Sequence, residues 1–526
     1  MKRLSFFAVF SFGISWLIVG CTQKSPTGYI PHETTSGLEN ASVETDFNTE
    51  SYDHIVENGF VTALQNPLST FSVDVDTASY ANVRRFLTSG KVPPAGAVRI
   101  EELINYFSYD YKAPVDDSPF AVHLDVATCP WQPKHNIVRI ALQGKRIDTE
   151  ERKSANLVFL LDVSGSMRSA NKLPLVKSAM RMLVEELNGN DRIAIVCYAG
   201  ASGVALPSTS VTKRDTILSA LERLVSGGST NGGEGIQLAY RIATENFIAG
   251  GTNRVILCTD GDFNVGVTDN SQLVSLVKSN AKSNIFLSIL GFGSGNLNDS
   301  LMETLSNEGN GNYAYIDSIN EARKNLIDGI GGTLETIAKD VKIQVDFNPH
   351  LVKEYRLIGY ENRQLADEDF INDQKDAGDI GAGHSVTALY EIVTTMMEDN
   401  QSNVEPSKYV ETKPTQNLGE LLTVRLRYKL PDESMSRQLR STLKNPLKID
   451  QPIGDFRFAC AVAQFGMLLR NSAYMQNTNW NSIRSIGHDY QDGDADKYRA
   501  EFFRLVAIAE QLSLNDHLST VQQRLP

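Results

Sequence analysis

The chain carries only five cysteines and eight histidines in 526 residues. No cysteines form a CxxC pair and no histidines cluster, which argues against zinc. There is no long basic run, and the formal net charge is -13. Nucleic-acid binding, which needs clustered Lys and Arg against phosphates, is therefore disfavoured. The glycine-rich stretches "GSGNLN" and "GGEG" are followed by no Walker lysine, so nucleotide binding has no support. A serine nucleophile elbow is missing too, and the scattered histidines assemble no hydrolytic triad. No internal repeat is present.

What is there is the composition of a globular protein, 41% hydrophobic and 21% charged, long enough for two or three folded units. At the N-terminus, Lys2 and Arg3 precede the apolar stretch "LSFFAVFSFGISWLIVG" and then Cys21. That stretch is short for a membrane span, and residues 1–20 are expected to be a cleaved signal peptide. Ile18-Val19-Gly20-Cys21 resembles a bacterial lipobox, which implies a lipidated Cys21 as the first mature residue and an anchored protein of the cell envelope. No aspartate follows Cys21, so by resemblance to bacterial sorting the outer membrane is favoured over the inner. Of the other cysteines, Cys197 ("IAIVCY") and Cys258 ("VILCTD") lie in expected core strands and read as small buried hydrophobes. Whether Cys129 and Cys460 pair is left open.

Residues 21–60, rich in Ser, Thr, Asn, Glu and Gly, read as a disordered tether. An N-terminal flanking region over 66–150 begins with the strand-like "TFSVDV". Two helical patterns follow, "ASYANVRRFLTSG" and "VRIEELINYF", and then two strands, "FAVHLDVATC" and "NIVRIALQGK". Over 153–338 buried strands alternate with amphipathic helices: "LVFLLD", "RIAIVCYA", "RVILCTD", "IFLSILGFG" and "YAYID". Val176, Met180, Leu183, Val184 and Leu187 share one helical face. Strands so apolar need cover on both faces, which predicts a doubly wound α/β domain with a parallel sheet. Its last helix is expected over roughly Glu321 to Ala338. In the C-terminal flanking region, 339–526, alternating strands return ("VKIQVDFN", "VKEYRLIGYE", "SVTALYEIV", "LLTVRLRYKL"), followed by two helices whose apolar stripes read as core. The α/β domain is thus expected to be inserted in a β-sandwich-like region built from both flanks.

The stretch "VFLLDVSGSM" ends a core strand in a carboxylate and two hydroxyls, Asp162, Ser164 and Ser166. Alone, D-x-S-x-S is a weak signal. Its place at the C-terminal end of a buried strand strengthens it, because open α/β sheets bind ligands there. "RVILCTDGD" ends a second strand in Asp260, and the loop "SGGSTNGGEG" carries Thr230. Two carboxylates and three hydroxyls on one rim, with no His or Cys, suit a hard cation: Mg2+ first, with Mn2+ or Ca2+ possible. The bland alternative is a strand-end Asp and two serines satisfying turn amides.

These three pieces, in this order and on this fold, resemble the von Willebrand factor A domain and its metal-ion-dependent adhesion site. The resemblance covers Ala155 to about Ala338. It implies that Asp162, Ser164, Ser166, Thr230 and Asp260 hold the metal, and that a protein partner's Asp or Glu completes its coordination. "STFSVDVDTASYANVRRFL", "VRIEELINYF" and "GHSVTALYEI" in the flanks look like the bacterial von Willebrand factor A lipoproteins. The expected function is therefore partner binding through a divalent cation, with no catalysis, since no general base is evident. The rival expectations are a metal-dependent hydrolase or phosphatase, and a structural envelope protein whose metal only stabilises its loops. "FSVDVDT" imitates a phosphatase motif, with Asp74 as nucleophile and Asp76 as acid–base, but reads better as a half-exposed strand with solvated carboxylates. "DYQDGDADKY" near Asp489 resembles a calcium loop without its closing glutamate, and reads as an exposed acidic turn.

Overall fold

The apolar run Ala155–Asp162 forms the central strand of a six-stranded sheet. The computed structural model describes residues 50–523, apart from 74–75, 148–151, 200–201, 229–231, 262–269, 296, 330–331, 333, 376, 396–418 and 488–497. Across the sheet the order is Tyr313–Ile316, Phe286–Phe292, Thr252–Thr259, Ala155–Asp162, Arg192–Tyr198 and Ser202–Ser210. The first five strands are parallel. Ser202–Ser210 departs from the all-parallel expectation and runs antiparallel at the edge. Every residue of the central strand is buried, because helices cover both faces. Leu157, Phe159 and Leu161 pack with helix Leu173–Glu186; Val158 and Leu160 pack with helix Gly232–Glu245. This is the expected doubly wound α/β unit.

The flanking strands assemble two antiparallel sheets, each drawing on both sides of that unit. In one, Asn136–Gly144 pairs with Ser385–Thr394, Ala141 lying opposite Thr387. In the other, Leu68–Ser72 pairs with Thr336–Phe347, Phe71 lying opposite Ile343. Phe71, Val138, Ile140, Val345, Phe347, Tyr390 and Leu422 fill a common core between the sheets. The α/β unit is therefore inserted in a β-sandwich, as expected. Helices Ala78–Thr88, Ile100–Asn105, Gly454–Arg470 and Tyr498–Gln523 build a third core around Tyr80, Tyr106, Phe107, Phe458 and Phe502. Among the described residues no helix is long and apolar enough to cross a membrane.

One buried arginine ties the parts together. Arg84, in the first helix, donates to Asp317 at 2.5 Å and Glu321 at 2.7 Å, both in the α/β unit. It also reaches Glu501 of the C-terminal helix at 2.9 Å and the Tyr106 hydroxyl at 3.1 Å. Desolvation opposes a buried charge, but four acceptors around one planar fork hold this guanidinium fully protonated.

Other segments differ from expectation. The last helical stretch of the α/β unit ends before the expected Ala338: Ile319–Arg323 widens into a π-type turn at Lys324–Asp328, Gly332 and Leu334 are helical, and from Thr336 the chain is strand. The helical reading ran on because Ile337 and Ala338 are apolar and buried, but they belong to the strand and pack in the sandwich core. Asp74 lies outside the described residues. Asp76 is not solvated as expected; it is buried, accepting from the Tyr313 amide at 2.8 Å and from Arg363 at 3.2 Å. That pairing makes it a structural link, and leaves it no freedom for acid–base work. The acidic turn near Asp489 and residues 21–49 of the expected tether fall outside the described residues. Residues 50–60, expected to be disordered, are instead held to the folded body: Arg85 donates to Glu50 at 2.9 Å, the Ser51 amide donates to Leu297 at 3.1 Å and Asn58 donates to Gly359 at 2.8 Å. Cys129, Cys258 and Cys460 are buried, Cys197 is partly so, and none of the four forms a disulfide.

Replacing Arg84 by Met would strand Asp317 and Glu321 as buried, unpaired charges. Urea unfolding of Arg84→Met should show a loss of about 3–5 kcal/mol, far above the value for an exposed arginine such as Arg437.

Candidate metal centre

The two ends of the central strand illustrate two uses of a buried aspartate. At its start stands Asp191, from the neighbouring strand's approach. It accepts from the Ala155 amide at 2.7 Å, from the Asn188 amide at 2.8 Å and from Arg152. Both oxygens are satisfied, and this carboxylate is purely structural.

At the strand's C-terminal end Asp162 is fully buried. Its Oδ1 accepts from the Ser164 amide at 2.8 Å, which folds the loop back on the strand. Its Oδ2 has no hydrogen bond of ordinary geometry. Tyr198 stands directly opposite Asp162 in the sheet register, and its hydroxyl is near enough to ease the charge slightly. Burial is the main influence on Asp162 and pushes its pKa up to about 6; Ser164 opposes the rise and Asp260 adds to it. A buried carboxylate so sparsely hydrogen-bonded is one that a nearby cation would stabilise in its ionised form.

The hydroxyls lie alongside. Ser164 Oγ is 3.0 Å from Ser166 Oγ; the first is buried and the second exposed at the rim. Met167 plugs the loop into the core. Two backbone bonds clasp the neighbouring glycine loop to this one: Gly227 donates to Val163 at 2.7 Å, and Gly165 donates to Gly228 at 3.1 Å. Gly228 has φ of +92°, a conformation that favours glycine. Thr230 lies outside the described residues, two positions beyond this clasp. The following helix is held close over the same edge, since a Cβ on Gly235 would sit 2.9 Å from Tyr198 Cβ.

Asp260 ends the adjacent strand Thr252–Thr259 and is fully buried. Its Oδ2 accepts from Lys172 Nζ at 2.8 Å. The structure thus brings Asp162, Ser164, Ser166 and Asp260 to one edge of the sheet. No group of three His, Cys, Asp or Glu that could hold a metal occurs among the described residues. The donor set is all oxygen, which fits a hard, octahedral cation.

Sequence reasoning missed Tyr198 and Lys172. Tyr198 could have been found from register, as the last residue of "RIAIVCY" beside the last residue of "ANLVFLLD". Lys172 gave no local signal, because its role depends on a strand nearly ninety positions away.

Comparison with known proteins follows this geometry. The profile described as "von Willebrand factor type A domain" matches residues 156–328. One described as "von Willebrand factor" matches 46–139, and one described as "Uncharacterized protein YfbK, C-terminal" matches 332–512. YfbK of Escherichia coli (strain K12) is 43% identical over 472 residues, 88% of this chain and 81% of that protein. The chain belongs to the YfbK family of von Willebrand factor type A domain proteins. Protein sll0103 of Synechocystis is 30% identical over 185 residues, which is 35% of this chain and 43% of that one. Among solved structures, "von Willebrand factor type A from Catenulispora acidiphila" is similar over 79% of this chain and 90% of its own, at 16% identity and a TM-score of 0.41. Domains of this type commonly mediate protein interactions and often bind a divalent metal at an adhesion site.

The raised pKa of Asp162 has a signed consequence for the metal-free protein. Between about pH 4 and 6 the folded chain holds a proton on Asp162 that the unfolded chain releases. Stability therefore falls as pH rises through that window, by up to ~3 kcal/mol from this group. Urea unfolding in EDTA should show that slope in the wild type and lose it in Asp162→Asn.

Proposed function

We propose that this protein is a lipid-anchored cell-envelope protein that grips a protein partner through a divalent cation, most simply Mg2+, at the C-terminal edge of its central sheet. The observation that carries the reading is Asp162 Oδ2, a buried carboxylate oxygen without an ordinary hydrogen bond, set beside the Ser164–Ser166 hydroxyl pair. Asp162, Ser164, Ser166, Thr230 and Asp260 would hold the ion. The ion supplies a positive centre for an incoming Asp or Glu carboxylate. The chain's own residues do the rest. Ser164 and Ser166 offer neutral oxygens that leave the cation's charge under-compensated. The clasp of Gly227 and Gly228 against Val163 and Gly165 ties the start of the glycine-rich stretch that carries Thr230 to the serine loop. Asp76, the acid–base of the rival phosphatase reading, is already paired, which favours binding over catalysis.

Anchoring rests on Cys21 and its lipobox, with the polar stretch 21–49 as tether and the outer membrane as the favoured location. A tether of that composition lets the folded body search for partners at some distance from the bilayer.

Two experiments test the two halves. Calorimetric titration with Mg2+ and Mn2+ should show binding by the wild type and none by Asp162→Ala; capture of envelope proteins should be lost with EDTA and with Asp162→Ala alike. Capture that survives both would overturn the metal bridge. For the anchor, metabolic labelling with a fatty-acid analogue in a bacterial host should mark the wild type and not Cys21→Ser. Equal labelling of the two would end the anchoring proposal.

A further inference from the structure

Lys172 sits where the loop after the serines enters helix Leu173–Glu186, and is only 7% exposed. Burying an ammonium is costly unless it is paired, so its position needs a reason. Its stem crosses Gly293, the residue after strand Phe286–Phe292. A Cβ at that glycine would lie 2.2 Å from Lys172 Cε, and the glycine's φ of +76° also disfavours other residues. The groove is thus open because Gly293 has no side chain. The ammonium at its end bonds Asp260 Oδ2 at 2.8 Å. Asp260 and Asp162 are both fully buried at the ends of adjacent strands.

Buried carboxylates at the ends of adjacent strands repel each other when neither has a counter-charge, and Asp260 acts on Asp162 in this sense. In the metal-free protein, Lys172 supplies one positive charge from within the chain. A divalent cation entering the same rim meets that charge, and must share Asp260 with it or displace it. Either way the lysine works against the ion.

We propose that Lys172 is an internal cation that keeps the two aspartates together without metal and sets how weakly a divalent ion binds. This deepens the metal-site reading above and rests on it. The affinity of the site then follows from a competition within the chain as well as from its oxygen ligands. An exchangeable ion, released when no partner carboxylate is present, is the expected behaviour.

The test is Mn2+ titration of the full chain by calorimetry, together with thermal melts in EDTA and in Mn2+. The variants are Lys172→Met, Lys172→Gln and Lys172→Arg. Lys172→Gln keeps an N–H donor for Asp260 without the charge, and guards against a Met variant that fails to fold. Both neutral variants should bind Mn2+ about tenfold more tightly or better. They should also melt lower than wild type in EDTA and recover in Mn2+. Lys172→Arg, which keeps the charge, should bind within about threefold of wild type. Folded neutral variants that bind Mn2+ no more tightly than wild type would overturn the proposal while leaving the metal site standing. Absence of Mn2+ binding in every form would remove the metal site itself, and this role with it.

Discussion

The fold depends on a closure condition. The α/β unit leaves the sandwich after Asn136–Gly144 and re-enters it through Thr336–Phe347. Strands from before the insertion must therefore find strands from after it in register, across roughly two hundred residues. The pairings of Ala141 with Thr387 and of Phe71 with Ile343 meet that condition in the two sheets separately. A one-residue slip in either would turn Phe71, Val138 or Val345 out of the shared core, so apolar alternation enforces the register. Arg84 adds a polar lock at another point, joining the first helix, the end of the α/β unit and the last helix. Such contacts at long sequence separation carry a loop-closure cost that only burial on this scale offsets.

Within that frame, the central strand separates structural from functional polarity. Asp191, at the entry edge, spends both oxygens on backbone amides and Arg152. At the exit edge Asp162 gives one oxygen to the loop amide of Ser164 and keeps the other uncommitted by ordinary bonding. The difference follows from chain direction. Backbone N–H groups point into the entry edge from the loops that precede the strands, whereas the exit edge is where loops diverge toward opposite faces and leave a crevice.

Much of this was legible because parallel core strands are nearly continuous apolar runs. "LVFLLD", "RIAIVCYA" and "RVILCTD" announce themselves, and the polar residues that end them announce the site. The edge strand Ser202–Ser210 was not legible: it carries Gly203, Pro207 and four serine or threonine residues, which solvent tolerates at an edge. Ser436–Lys444 was missed for a similar reason, since Arg437, Gln438, Arg440 and Lys444 are exposed along its length. The last helix was drawn too long because apolar residues at Ile337 and Ala338 satisfy a helical stripe as well as a buried strand. Asp76 looked solvated because its partners, Tyr313 and Arg363, are remote in sequence. Register and long-range ion pairing are three-dimensional facts, and local pattern carries little of either.

The same distinction explains why the candidate oxygen ligands were legible in the sequence and the lysine beside them was not. Ligands that share one loop leave a spacing, as Asp162, Ser164 and Ser166 do. A counter-charge leaves none, since only the folded distance matters to it; Lys172 and Asp260 are brought together by the order of strands and the missing side chain of Gly293. Two buried carboxylates with no cation would be a poor place to end two core strands, whatever the function. A lysine that neutralises one of them makes the metal-free fold tolerable, and the same lysine makes the metal-bound site less than maximally tight. Stability without the ion and strength of binding to it are therefore opposed through a single side chain, and the proposed metal site sits between those two demands.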